Sequence, residues 1–303
     1  MTTYTLGIHK ENIKKINNPV RLTKNQILRA IQIDPEHLKE KNNWYLVANV
    51  LSYFKARKDC RLLGEMLNKD IFEIFHKSTA NYQIVRFGLG KTAEVEKIGL
   101  LSANIQKPDY EYYDVSNLHR LYPEMARKYG QYTIKKLLDV LNSNNVPGCQ
   151  ELTEEIITVY VLDWFCHQLD RNPKNLLFER SEEGKLSLAT LIDNESSFGI
   201  NSGKINVSYN RIWVPSIPYE DADFSQNPMD FAGCDYNIFG ILMDYPEIVI
   251  PILKQLTDTN FSTMINKYRQ QPTNAIYLPD GGIDFLSRFI EEKQEEGQKL
   301  LTL

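Results

Sequence analysis

Glycine is scarce in the N-terminal part of this sequence, where none lies between Gly7 and Gly64. A glycine-rich phosphate-binding loop is therefore excluded from this stretch, although backbone NH groups of other residues can still approach a phosphate. Long apolar runs are missing as well, because Asp, Glu or Lys interrupts each of the longest apolar segments. Since a membrane-spanning helix needs roughly 20 apolar residues, we predict no membrane segment and no membrane partner. The first residues also lack the apolar core of a signal peptide, so we expect none.

Cysteine is rare, and its positions show no pairing. Cys60, Cys149, Cys166 and Cys234 are widely separated and form neither a CxxC pair nor another zinc-binding spacing. This pattern is typical of a reduced interior, so we expect a cytoplasmic protein. Two disulfides in a secreted protein are the alternative.

Basic charge is not in excess, because 35 Lys and Arg residues stand against 39 Asp and Glu residues, for a net charge of -4. This balance argues against a broad nucleic-acid surface and against docking on anionic lipid, so no nucleic-acid partner is expected. What is present is an ordinary globular composition, with 42% apolar and 24% charged residues in a chain of 303. Such a chain forms one large domain or two lobes.

The pattern of predicted elements divides the chain into two parts. Strand-like and helix-like segments alternate in the first part, with strands at 44–56, 81–87 and 96–105 and a helix at 60–77. From about residue 116 the pattern is mainly helical. We therefore predict an α+β fold, with N-terminal helices and a small nucleotide-binding lobe at 1–115 and a helical lobe at 116–303.

Capping residues indicate where further helices begin. Residues 1–40 favour a helix that has Thr23 as its N-cap, and the long apolar helix near residue 160 has Thr153 as its predicted N-cap. Segments 176–180 and 186–192 predict a β-hairpin around the turn SEEGK.

Three polar residues stand at one edge of this hairpin. The apolar helix leads to Asp170 in LDRNPKNLLF, Asn175 follows just before the first strand, and Asp193 in LIDNESSFG follows the second strand. Phosphoryl transfer uses such groups, because an Asp orients the attacking hydroxyl while Asn and Asp oxygens bind magnesium. The order Asp, four residues, Asn, a hairpin and a second Asp is found in protein kinases.

The segments DRNPKNLL and IDNESSFG, together with the apolar helix before them, resemble the catalytic and metal-binding loops of HipA-like kinases. These are bacterial Ser/Thr kinases of the protein kinase and phosphatidylinositol kinase-like superfamily. The resemblance implies that Asp170 is the catalytic Asp and that Asn175 and Asp193 bind Mg²⁺ and ATP. It also implies a two-lobed kinase-like fold, with a small α+β N-lobe and a larger, mainly helical C-lobe.

A lysine and a glutamate upstream extend the resemblance. VLSYFKARK places Lys55 at the end of an apolar strand, and CRLLGEML places Glu65 on the next helix. The resemblance implies that Lys55 holds the ATP phosphates and that Glu65 holds Lys55, so both are predicted as catalytic. Lys58 is the competing lysine, and a surface lysine on an edge strand is the alternative for Lys55.

Two functions follow as expectations. The first is an ATP- and Mg²⁺-dependent protein Ser/Thr kinase that phosphorylates a protein hydroxyl and can phosphorylate itself. The alternative is a catalytically weak or inactive kinase-like module that binds a protein partner, and the glycine-free N-terminal region favours it. A regulatory protein partner is compatible with both.

Two groups of residues have alternative roles, and one histidine has a predicted packing role. The tyrosine-rich segment 109–115 predicts the hinge between the lobes or a recognition surface. Serines 196, 197, 202 and 208 are phosphoacceptors or belong to a solvated loop. His167 is predicted to pack or form hydrogen bonds rather than act in catalysis.

Overall fold

The fold is described from a computed structural model of the 303-residue chain. The structure describes residues 4–5, 14–16, 19–30, 43–56, 61–89, 95–125, 134–168, 171, 175–194, 197–198, 200–201, 204–205, 238–269, 277–278 and 282–303.

A six-stranded sheet and a helix that follows its hairpin dominate the N-terminal part. The elements are β1 (Tyr4–Thr5), β2 (Lys14–Ile16), β3 (Val20–Arg21), α1 (Lys24–Ala30), β4 (Trp44–Val47), β5 (Val50–Ala56), α2 (Arg61–Ile74), β6 (Tyr82–Leu89) and β7 (Val95–Ala103). The strand order is β2-β6-β7-β5-β4-β3, and only β2 and β6 pair in parallel. This arrangement places β5, which carries Lys55, inside the sheet rather than at its edge.

The β4–β5 hairpin follows from its turn, and an aromatic contact joins β5 to β6, on the far side of β7. Ala48 and Asn49 connect the strands with positive φ angles of 48° and 65°, as a tight hairpin with the right-handed twist requires. Phe54 on β5 stacks on Phe87 of β6 with ring centroids 4.0 Å apart. On the neighbouring strand, a Cβ at Gly99 would overlap the carbonyl oxygen of Lys55. The absence of a side chain at Gly99 therefore allows β7 to lie close to β5 beside Lys55.

The predicted helical character of residues 1–40 is wrong for part of this stretch. Helix α1 begins after Thr23, whose Oγ1 accepts a hydrogen bond of 3.3 Å from the backbone NH of Gln26. The backbone NH of Thr23 in turn donates to Gln26 Oε1 over 2.9 Å, so the predicted N-cap is confirmed. Residues 14–16 and 20–21 are strands instead. Their pairing with β6 and β4 is non-local, and the sequence of such short segments does not reveal it.

The C-terminal part is mainly helical. Its elements are β8 (Glu111–Asp114), 3₁₀ turns at Val115–Arg120 and Pro123–Met125, α3 (Ile134–Ser143), α4 (Cys149–Cys166), β9 (Leu177–Arg180), β10 (Leu186–Leu188), β11 (Ile200–Asn201), β12 (Lys204–Ile205), α5 (Ile238–Asp244), α6 (Pro246–Asp258), α7 (Ser262–Asn266), a 3₁₀ turn at Lys267–Arg269, β13 (Tyr277–Leu278) and α8 (Gly282–Leu300). The predicted α+β class is confirmed. Among the described helices, none is long and apolar enough to cross a bilayer.

Helix α4 forms the centre of this part. Nearly every residue from Leu152 to Cys166 is buried, which explains why the segment is apolar on all sides. The predicted N-cap at Thr153 is wrong, because α4 begins at Cys149 after Gly148, and Thr153 is buried within the helix. Residues 149–152 mix polar and apolar types, so the apolar periodicity does not mark the true start.

The tyrosine-rich segment pairs with the predicted hairpin. Strands β9 and β10 form that hairpin, and β8 adds to it antiparallel to β9, in the order β10-β9-β8. Sheet pairing therefore groups residues 111–114 with the hairpin, whereas the domain boundary predicted at 115/116 groups them with the first part. The segment 104–110 joins this strand to the six-stranded sheet. Of the cysteines, Cys149 and Cys166 are free thiols, while Cys60 and Cys234 lie outside the described residues.

Candidate active site

Lys55 lies at the centre of the candidate site. Its position on β5 is fixed by pairing with Leu100 of β7, and 11% of its side chain is exposed. The Nζ atom lies 2.8 Å from Glu65 Oε1 and also forms an ion pair with the Asp193 carboxylate. The structure thus brings together three residues that the sequence predicted as site residues. Lys58, the competing lysine, lies outside the described residues.

Glu65 connects the lysine to the loop after the hairpin. One carboxylate oxygen binds Lys55, and the other accepts a 2.9 Å hydrogen bond from the backbone NH of Asn194. Burial raises the pKa of Glu65, while the neighbouring Lys55 ammonium works against that rise. The ion pair therefore favours the ionised form of a carboxyl group that is 1% exposed.

Helix α2, which carries Glu65, is attached to the helical part at its other end. Asp70 forms an ion pair with Lys267 and a hydrogen bond with the hydroxyl of Tyr268. Gln255 Nε2 donates to the carbonyl of Ile74 over 3.4 Å. These contacts fix the helix on which the position of Glu65 depends.

Asp193 sits in a constrained loop that follows the hairpin. Its backbone has a φ of 60°, which is uncommon for a residue other than glycine. Gln168 Nε2 donates to its carbonyl over 3.1 Å, and its own NH donates to the Tyr82 hydroxyl over 3.4 Å. The side chain of Asp193 is 35% exposed. The backbone is thus held while the carboxylate keeps access to solvent.

Asn175 lies beside Asp193, as predicted. Its Nδ2 approaches Asp193 Oδ2 at 3.5 Å, the outer limit of a hydrogen bond. Asn175 is 8% exposed, and it stands two residues before the hairpin strand β9. Asp170, the predicted catalytic residue, lies outside the described residues.

Arg171 follows Asp170 in the chain, and sequence reasoning missed its role. Its Nε and Nη2 atoms bind the two oxygens of Asp163 at 2.8 and 3.0 Å. Its Nη1 donates to the carbonyls of Asn175 at 3.3 Å and of Ile192 at 3.0 Å. Burial works against its charge, yet the carboxylate of Asp163 raises the pKa of Arg171 overall. One signal was available, since Asp163 is a lone acid in the apolar run ITVYVLDWFC and needs a partner there.

The segment that leads to Asp193 also contacts the N-terminal sheet region. Thr79 and Leu191 form an isolated parallel bridge. The NH of Ala80 donates to the carbonyl of Leu191 over 2.8 Å, and the NH of Leu191 donates to the carbonyl of Ser78 over 2.9 Å. Backbone contacts therefore hold the start of the Asp193 loop against the chain between α2 and β6.

Two other residues singled out in the sequence have surroundings that limit their roles. Ser197 is fully buried, accepts a 2.9 Å hydrogen bond from Asn68 Nδ2 and donates to the carbonyl of Asn194. It is not available to a kinase in this conformation, and serines 196, 202 and 208 lie outside the described residues. His167 is buried near the ring of Phe289, and burial lowers its pKa to about 3. It is therefore a neutral packing residue at neutral pH.

The donor set suits magnesium rather than zinc. In the part of the chain that the structure describes, no three His, Cys, Asp or Glu side chains group into a metal site. A single carboxylate at Asp193 beside the amide of Asn175 matches magnesium, which takes one or two protein carboxylates and completes its shell with water and phosphate oxygens. The residues present thus fit this metal.

Comparison with solved structures supports the fold. The chain is similar to the Helicobacter pylori proinflammatory kinase CtkA, with 14% identity, a TM-score of 0.51, and coverage of 89% of this chain and 94% of that chain. It is also similar to HipA in the Shewanella oneidensis MR-1 toxin–antitoxin complex of HipA, HipB and operator DNA, with 11% identity, a TM-score of 0.49, and coverage of 94% and 72%. No family model matches the chain, and no curated protein matches it. The kinase-like α+β fold predicted from the sequence is confirmed as a likeness of fold.

Proposed function

We propose that this chain is an ATP- and Mg²⁺-dependent phosphotransferase of the HipA-like type, which transfers the γ-phosphate to a Ser or Thr hydroxyl of a protein. One observation carries the proposal. Lys55, Glu65 and Asp193 meet in one cluster of ion pairs although Lys55 and Asp193 are 138 residues apart in the chain. A lysine, an acid that holds it and a metal-binding Asp are the parts that phosphoryl transfer requires together.

Lys55 supplies the fixed positive charge for the phosphates. Glu65 holds its ammonium at 2.8 Å, so the lysine does not swing away when Asp193 turns to another partner. The Asp193 carboxylate is the more exposed of the two acids, and it is the one that has to exchange partners when nucleotide binds.

Asn175 and Asp193 are the residues that would hold Mg²⁺. When bound, the ion supplies positive charge against the phosphate oxygens. The two side chains are already adjacent, at 3.5 Å. The direct contact between Asp193 and Lys55 orients the Asp193 carboxylate.

Asp170 is proposed as the residue that orients the acceptor hydroxyl and accepts its proton. It precedes Arg171, whose side chain is fixed by Asp163. This role is supported by the sequence order of Asp170, Asn175 and Asp193, which is the order found in protein kinases.

The second candidate is a non-catalytic kinase-like module. A specific observation favours it, because Lys55 is already neutralised by two carboxylates. Such a self-satisfied cluster is stable without ligand, and the chain could then serve a protein partner through its helical part.

Transfer of label from γ-labelled ATP separates these functions. We would compare the wild type with Asp170→Ala, Asp193→Asn and the control Asp139→Asn, which alters an exposed Asp on α3. A protein kinase labels itself or a general protein substrate only in the wild type and the control. Absence of label in every sample, with a thermal shift on adding Mg·ATP, would indicate the binding module. Absence of both label and thermal shift would contradict any nucleotide-dependent function.

A further inference from the structure

The side chain of Arg171 contacts Asn175 and both chain neighbours of Asp193, the two residues proposed to bind magnesium. In the chain it follows Asp170 directly. Its guanidinium donates to the carbonyl of Asn175 and to the carbonyl of Ile192, the residue before Asp193. It also donates to the side chain of Asn194, the residue after Asp193.

We propose that Arg171, anchored by Asp163, is the positioning residue that sets the end of the catalytic loop at Asn175 and the metal-binding loop at 192–194 at a fixed separation. This inference rests on the proposed function, because the two loops matter together only if the chain transfers phosphate. Arg171 itself touches no substrate in this role, and it acts through Asn175 and Asp193.

The choice of residue supports a geometric role. A guanidinium presents five donors in a rigid planar fork, so one side chain can bind a carboxylate on one edge and several carbonyls on the other. The side chains of Arg171 and Asp163 are each 2% exposed. A buried ion pair is a poor source of stability compared with well-packed apolar residues. Its presence in the middle of an apolar core is therefore better explained by the contacts that it orders.

The anchor is rigid because it belongs to the central helix. Asp163 lies on α4, in the run from Ile156 to Cys166 in which every residue is buried. The NH of Gln168 donates to the Asp163 carbonyl over 2.9 Å where the helix ends, and the Gln168 side chain holds the carbonyl of Asp193. The end of α4 thus controls the metal-binding loop through two routes, one of which passes through Arg171.

The same network continues to the lysine. Asn194 is fully buried; its side chain accepts from Arg171 and its backbone NH donates to Glu65. A displacement of Arg171 would therefore change the geometry of the Lys55–Glu65 pair as well as the positions of the two loops.

Replacement of Arg171 by lysine keeps the charge and removes the fork. Loss of a residue that orients metal ligands typically weakens metal binding by about 10- to 100-fold, and a misplacement of about 1 Å costs roughly 10²-fold in rate. We expect Arg171→Lys to lower kcat about 10²-fold and to raise the Mg²⁺ concentration for half-maximal rate about tenfold, with a smaller change in the KM for ATP. The matched control is Arg180→Lys, because Arg180 makes only an exposed pair with Glu111 among its described ion pairs.

A second variant tests the anchor. Asp163→Glu keeps the ion pair and moves it by one methylene, so it should shift the Mg²⁺ requirement in the same direction. Asp163→Glu also tests the proposal if Arg171→Lys does not fold. If Asp163 acts through Arg171, the double variant should lose no more rate than the worse single variant.

Hydrogen exchange in the full-length chain without ligand gives a readout that does not depend on activity. We expect Arg171→Lys to speed amide exchange in both 175–180 and 189–194, and Arg180→Lys to leave 189–194 unchanged. If the wild type transfers no phosphate, the proposed kinase fails, and faster exchange in both loops still upholds the positioning role. Unchanged exchange in the loops, or a folded Arg171→Lys variant with wild-type kcat and Mg²⁺ requirement, would overturn it.

Discussion

Two clusters of ion pairs lie within one site and differ in their access to water. Lys55 and Asp193 have side chains that are 11% and 35% exposed, whereas Arg171 and Asp163 are each 2% exposed. The accessible pair can exchange partners with a ligand, because water replaces a lost contact at little cost. The dry pair cannot, because either partner left alone would be an uncompensated buried charge. Exposure thus separates the side chains proposed to bind a ligand from the side chains proposed to fix the positions of other residues.

The largest effect should follow from changing the accessible cluster. Lys55→Met removes the proposed phosphate-binding charge, and we expect kcat/KM for ATP to fall about 10³-fold, equivalent to about 4 kcal/mol. Lys69→Met is the matched control, since Lys69 pairs only with exposed Glu73 on α2 among its described contacts. A comparable loss of activity in both variants would contradict the role of Lys55.

The dry cluster should affect stability first. Asp163→Asn leaves the guanidinium of Arg171 buried without its carboxylate, and we expect the free energy of unfolding to fall by about 3 kcal/mol. Glu111→Gln, which breaks an exposed pair with Arg180, should cost no more than about 0.5 kcal/mol. Urea unfolding of both variants measures the difference. Equal losses would remove the distinction between the two kinds of ion pair.

The strand that presents Lys55 offers a test of position without a change of charge. Gly99→Ala places a methyl group against the backbone of Lys55, and we expect a loss of about 2 kcal/mol in the free energy of unfolding. Gly297→Ala is the control, because its methyl group would meet only side chains, the nearest being Thr257 at 3.1 Å. Alanine is also the better helix former there. Thermal unfolding should show a lowered midpoint for Gly99→Ala alone.

The smallest effect should come from Lys293, a buried cation whose described contacts are not with the loops of the candidate site. Lys293 is 2% exposed, with Glu296 at 2.7 Å and the Trp164 ring at 4.6 Å. Burial lowers the pKa of Lys293 to about 8, from 10.5 in the unfolded chain. Between these values the unfolded chain binds more protons, so stability rises with pH.

The Lys293→Met variant lacks the pH-dependent contribution of Lys293 to stability. The difference in unfolding free energy, wild type minus variant, should therefore increase by about 1 kcal/mol per pH unit between about pH 8.5 and 10. Denaturant titrations of both proteins at several pH values measure it. A flat difference would mean that Lys293 keeps its ordinary pKa in the fold.

Local sequence patterns predicted much of this fold, because most helices and strands can be recognised from the residues within them and in the turns beside them. The strands at 44–56, helix α2 and the hairpin before Asp193 carry their own periodicity and turn residues. Strands β2 and β3 do not, because a strand of two or three residues exists only through distant partners. The start of α4 was predicted wrongly for another reason, since an αL glycine rather than a side-chain cap precedes it.

The candidate site was predictable where chemistry requires a particular residue type. Lys55, Glu65, Asn175 and Asp193 could be proposed because phosphoryl transfer needs a cation, its holder and oxygen ligands. Arg171 and Asp163 could not be paired from spacing alone, since one lies on a helix and the other in a loop. Their pairing depends on the turn at the end of α4, where His167 adopts a φ of 50°.

The order of synthesis gives the Lys55–Asp193 contact a further consequence. All strands of the six-stranded sheet lie between residues 14 and 103, so the sheet can form while the rest of the chain is still being made. The contact spans 138 residues, and the bridge from Thr79 to Leu191 closes a loop almost as long. Such distant contacts form late, because the chain must first close a long loop. A growing chain therefore completes the sheet that carries Lys55 well before it can assemble the proposed site, which requires synthesis to pass Asp193.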